Sequence, residues 1–144
     1  MADLHPPPEE YVARLREIVE GLPEIREEEA WRGLRWRVGS TTVAHTLVVV
    51  DGTPASYARA TGLDGPATVL TFHAAADELA FYAEAGPPYF SPPWSATTVG
   101  MVIDDGTDWG EVGEAITESY RICAPARLRG STRSSLARHR PSAG

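Results

Sequence analysis

The chain has 144 residues, 42% hydrophobic and 23% charged, the size and balance of one globular domain that can bury a core without a disulfide or structural metal. Its single cysteine, Cys123, excludes an intramolecular disulfide and any zinc site built on several thiolates. Thirteen basic residues, all arginine, against twenty acids give −7; residues 1–120 balance at −13 and residues 121–144, with six arginines and no acid, at +6, a pattern suited to polyanion contact or self-association.

Residues 1–7 read as a flexible leader, polar and proline-rich and so unlike a secretory signal. No apolar run approaches the roughly 20 residues of a membrane span. A bacterial-type cytoplasmic location is therefore expected. Pro6-Pro7-Pro8 introduces a first helix, because proline fits the first turn, where its missing N–H costs nothing. Glu9 and Glu10 suit the positive end of the helix dipole. Tyr11, Leu15, Ile18 and Leu22 then recur on one face, and Gly21 with Pro23 ends the helix. From Glu24 the period becomes two. Residues 24–31 suggest a short polar strand broken by Gly33. Leu34, Trp36 and Val38 alternate with Arg35 and Arg37, a half-buried strand with two arginines on its outer face. Gly39-Ser40 is a tight turn, and the β-branched residues 41–50 should pair back antiparallel.

Residues 51–66 read as a long loop with a turn of helix at 56–60, and residues 67–74 as another strand. The alanine-rich stretch 75–85 predicts a short helix ending at Gly86. Four prolines between Pro87 and Pro93 are expected to exclude regular structure up to Trp94. Residues 95–103 form the last strand. Asp108 and Glu111 make a capping box for the last helix, whose Val112, Ile116, Ser119, Tyr120 and Cys123 lie near one face, and Pro125 ends it. Three parts are expected: a leader over 1–7, one domain over 8–128, and a basic, disordered tail over 129–144. Terminal helices around a mainly antiparallel sheet indicate an α+β two-layer sandwich.

No nucleophile elbow, phosphate-binding glycine loop or dinucleotide fingerprint is present, so no enzyme activity and no cofactor are expected. Cys123 near a helix C-terminus is poorly placed to become a thiolate and reads as a core residue. His45 and His73 would meet only if their strands are neighbours, and two ligands make a poor metal site; each is expected to be a hydrogen-bonded sheet residue. Glu24, Glu27, Glu28 and Glu29 could collect cations weakly or simply form a solvated face. Tyr89, Phe90 and Trp94 could stack on bases or grip a partner if exposed, and would lock their loop to the sheet if buried. Arg35 and Arg37, two residues apart on one strand face, have a spacing of roughly 7 Å, close to that of phosphates along a nucleic-acid strand. Cross-strand pairing with the preceding glutamates is the competing arrangement.

Residues from about 11 to 128 resemble the MmcQ/YjbR family of small bacterial proteins. The resemblance is carried by Leu22-Pro23 and the acidic stretch into Trp31, and by Leu34-x-Trp36-x-Val38-Gly39. Further on it rests on Pro88-Tyr89-Phe90 leading to Trp94. Its most specific piece is Tyr120-Arg121-x-x-Ala124-Pro125-x-Arg127-Leu128. It implies a CyaY-like fold and a DNA-binding role through strand-and-loop wings. The chain departs from the family at Ser40-Thr41-Thr42, where a basic residue is usual, and in its longer 51–66 loop.

The expectation is thus a non-enzymatic, monomeric DNA-binding protein. Arg35, Arg37, Arg121, Arg127 and Arg129 would hold backbone phosphate without reading sequence. Its first rival is a protein-interaction module using the proline-aromatic loop. The second, by analogy with frataxin-like folds, is a weak divalent-metal binder.

Overall fold

The computed structural model describes residues 5–128, so the expected tail and its Arg129 lie outside the described residues. Helix α1 (Glu9–Val19) follows Pro8, carries Glu9 and Glu10 in its first turn, and buries Val12, Leu15 and Val19. Strands β1 (Arg26–Glu29), β2 (Leu34–Val38) and β3 (Thr41–Val49) follow, then α2 (Ala55–Thr61) and β4 (Ala67–His73). The chain continues through α3 (Ala76–Ala85), β5 (Tyr89–Phe90), β6 (Thr98–Ile103) and α4 (Trp109–Cys123). The six strands form one sheet in the order β1-β2-β3-β4-β6-β5, and every neighbouring pair is antiparallel. Helix α4 packs on the central strands β3 and β4, with α1 against it. The chain is therefore an α+β sandwich, and among the described residues no helix is long and apolar enough to cross a membrane.

The core lies between this helix pair and one sheet face. Leu15, Val19 and Leu22 meet Trp36, Leu70, Phe72, Val99, Met101 and Ile103 there, together with Val112, Ile116 and Tyr120 of α4. Fully burying a side chain of this size contributes about 1.5–3 kcal/mol. Two hydroxyls tie the layers. Ser119 accepts from the His73 N–H at 2.9 Å and donates to the Val43 carbonyl at 2.7 Å, and Tyr120 donates to the Pro23 carbonyl at 2.7 Å. On the opposite sheet face a smaller cluster forms, where Tyr57 of α2 covers Leu47, Val49 and Val69.

Three features depart from the sequence expectation. Between Trp36↔Ala44 and Arg37↔Thr42 the register shifts, leaving Val43 without a partner. This bulge lets Val43 and Ala44, adjacent in sequence, both enter the helix-side core. Second, β5 forms where the prolines were expected to exclude a strand. It lies at the sheet edge and pairs on one side only, where flanking prolines are tolerated, and the Pro88 carbonyl accepts from the Val102 N–H at 2.9 Å. Third, only half of the expected capping box forms. The Asp108 carboxylate accepts from the Gly110 and Glu111 N–H groups, while the Glu111 carboxylate turns instead to the Tyr89 hydroxyl.

Candidate phosphate-binding strip and acidic groove

The outer face of β1 and β2 follows from their pairing. Arg26 stands opposite Arg37 and Glu28 opposite Arg35, so these four side chains share one face, while Glu27 and Trp36 share the other. Glu28 Oε1 accepts from Arg35 Nε at 2.6 Å and from Arg37 at 3.1 Å. The two guanidinium groups converge on one carboxylate oxygen rather than standing apart at phosphate spacing. Arg37 also donates to the Ser40 carbonyl at 2.6 Å, and Arg26 to the Gly39 carbonyl at 2.7 Å. Those carbonyls anchor the side chains without cancelling their charge. The strip thus holds three guanidinium groups against one carboxylate, and the buried Nε of Arg37 has no hydrogen-bond partner among the described residues. The Arg37 guanidinium, with Arg35 beside it, holds the Glu28 carboxyl below its ordinary range.

The inner face of the same hairpin is organised by Glu27. Its carboxylate takes two hydrogen bonds from Arg16 of α1, both at 2.9 Å, and one from the Trp36 indole at 3.2 Å. The Arg16 hydrogen bonds are the main cause of its lowered pKa. Gly33 makes the tight return into β2 possible. It has φ +76°, and a Cβ there would collide with the Thr46 carbonyl on β3.

The C-terminal arginines are used differently. Arg121 pairs with Glu118 one helical turn earlier at 3.1 Å. Arg127 clasps both oxygens of Glu24 at 2.7 and 3.1 Å, which lowers the Glu24 pKa. Neither joins the β1–β2 strip by a contact, so the structure does not gather the expected arginines into one site. It adds Arg26, which lies in the strand expected over residues 24–31 but is not singled out there; its opposition to Arg37 appears only once the register is known.

The acidic stretch is likewise committed to partners at Glu24, Glu27 and Glu28. Among the described residues no group of three or more His, Cys, Asp or Glu side chains is arranged to hold a metal ion. His45 sits in the sheet with Nε2 2.7 Å from the Arg32 carbonyl, and burial lowers its pKa. His73 meets Thr97 through Nδ1 at 3.2 Å. Burial raises the Cys123 pKa, as expected of a core thiol.

The proline-aromatic loop is fastened to the sheet. The Phe90 ring covers Gly100, where an added Cβ would fall inside it. Trp94 stands edge-on to Tyr57 at 4.8 Å and remains 47% exposed. Tyr89 stands edge-on to Tyr82 of α3 at 4.8 Å and donates to Glu111 at 3.1 Å. Burial first, and that hydrogen bond second, push the Tyr89 phenol up to about 12. The two tyrosines belong to a groove of about 520 Å³ between α3 and α4, lined by the carboxylates of Asp77, Glu78, Glu111, Glu114 and Glu118. Comparison of the chain with protein-family models, with curated proteins and with solved structures finds no match.

Proposed function

We propose that this protein is a non-enzymatic DNA-binding protein that holds backbone phosphate on the outer face of β1–β2. The observation that carries the reading is the three-to-one excess of guanidinium over carboxylate on that strip among the described residues. Planar guanidinium forks match phosphate oxygens, and such contacts position a duplex without reading its sequence. The resemblance to the MmcQ/YjbR family points the same way. The site is Arg26, Arg35 and Arg37; Arg121 and Arg127, each paired with its own glutamate, are structural clasps. Because the body is strongly acidic, the strip must outweigh a long-range repulsion, and binding should be weak and highly salt-dependent.

Fluorescence anisotropy with duplex and single-stranded DNA between about 50 and 200 mM salt tests this, since affinity carried by phosphate contacts falls steeply over that range. Replacing Arg35 and Arg37 by alanine should weaken binding to all sequences and reduce the salt slope by about 0.9 per lost phosphate contact. Replacing Arg121 and Arg127 should leave the slope unchanged. No binding by folded protein at the lowest salt, or a slope indifferent to Arg35 and Arg37, would retire the proposal.

A further inference from the structure

Among the described helices α3 packs the most loosely on the sheet. None of its residues is buried, and Phe81 is 60% exposed. Phe81 meets Tyr82 at 5.4 Å, and Tyr82 meets Tyr89 at 4.8 Å, so a run of three rings floors the groove against α4. The walls are acidic: Asp77 and Glu78 come from α3, and Glu111, Glu114 and Glu118 from one face of α4. Among the described residues no arginine lines the groove. Among the described residues the one arginine bound to a wall carboxylate is Arg121, on Glu118. Carboxylates beside aromatic faces are the chemistry that receives guanidinium groups, by charge-assisted hydrogen bonds and by stacking of the cation on the ring.

We infer that the α3–α4 groove is the docking surface for the chain's own arginine-rich segment, residues 129–144. That segment carries Arg129, Arg133, Arg138 and Arg140 and no acid, which makes it the complement of the groove. Its reach suffices. The sixteen residues after Leu128 span up to roughly 55 Å when extended, and the near wall at Glu118 is only ten residues before Leu128. Covalent attachment presents the segment at an effective concentration in the millimolar range, which a free basic peptide would have to match. Docking there withholds these arginines from phosphate and leaves β1–β2 as the polyanion face. The inference rests on the groove alone and stands or falls independently of DNA binding.

The test uses the full chain. A nitroxide is attached at Ser135→Cys in a Cys123→Ser background, and amide resonances are recorded on isotope-labelled protein. Broadening is expected at residues 73–82 and 111–118 in about 0.1 M salt and should vanish near 1 M, as the Debye length shrinks from about 10 to about 3 Å. It should also vanish when Glu78 and Glu114 are both changed to glutamine. No broadening at the groove, or broadening unchanged by those substitutions, overturns the proposal. So does equal broadening when the nitroxide is carried only by a second, isotope-silent copy, because the occupant would then be a neighbour's segment. If Cys123→Ser perturbs the fold, the same resonances are compared between the natural chain and Arg133→Ser/Arg138→Ser/Arg140→Ser. Shifts confined to the groove sustain the inference, and their absence ends it.

Discussion

Glu27 and Glu28 are neighbours on β1, and each meets an arginine; Glu111 and Glu114 stand three apart on α4, and neither meets one among the described residues. The difference lies in what each element places opposite a side chain. In an antiparallel hairpin the register sets a β2 residue across from every β1 residue, so Arg35 faces Glu28 and Arg37 lies within its reach. On a helix, positions three and four apart share a face, so Glu111, Glu114 and Glu118 line up as like charges, and α4 itself supplies a counter-charge to Glu118 alone, through Arg121. Strand pairing therefore over-supplies β1–β2 with guanidinium groups, while helix periodicity leaves the groove with carboxylates. One chain thereby presents two surfaces of opposite sign.

The contrast can be broken most severely at its base. Trp36 lies under the basic strip, 1% exposed, and donates to Glu27. Trp36→Ala should cost about 3–5 kcal/mol in urea unfolding, as expected for a buried tryptophan. A loss below about 1 kcal/mol would mean that the hairpin does not depend on this ring. A smaller change sharpens the contrast. Glu28→Gln removes the strip's only carboxylate and should raise DNA affinity in the anisotropy assay while lowering folded stability; an unchanged or weaker affinity would contradict the site. The pH dependence of stability has a definite sign. Glu24, Glu27 and Glu28 have folded pKa values below the unfolded value. Their pairs therefore contribute fully above about pH 4.3, and that contribution is lost as pH falls through the lowered values. The smallest effect is expected in the groove. In Glu111→Gln the Tyr89 phenol, followed by its ultraviolet absorbance, should titrate closer to the ordinary value of about 10 yet remain above it, because burial is the larger cause. A return all the way to the ordinary value would mean that the carboxylate alone raised it.

Much of the fold is legible in the sequence. The alternation of Leu34, Trp36 and Val38 with arginines located β2, and Gly39-Ser40 located the hairpin that joins it to β3. The spacing of Val112, Ile116, Ser119 and Tyr120 located the buried face of α4, because a 3.6-residue period is a property of the backbone itself. The Val43 bulge was not legible: alternation assigns faces only until a residue is inserted, and nothing local marks the insertion. Nor was β5, whose two residues acquire their strand conformation from the neighbouring β6.

By itself the sequence determined the order of helices and strands apart from β5, the α+β class and the uneven distribution of charge, since each follows from local periodicity or composition. Only the tertiary structure decided which charges survive as net charge. Arg37 and Arg127 are alike in sequence, yet one shares a carboxylate with Arg35 and the other closes on Glu24 across 103 positions of chain. An ion pair depends on distances of a few ångströms between elements, and those distances are set by strand register and by the docking of α4, which no local stretch of residues encodes.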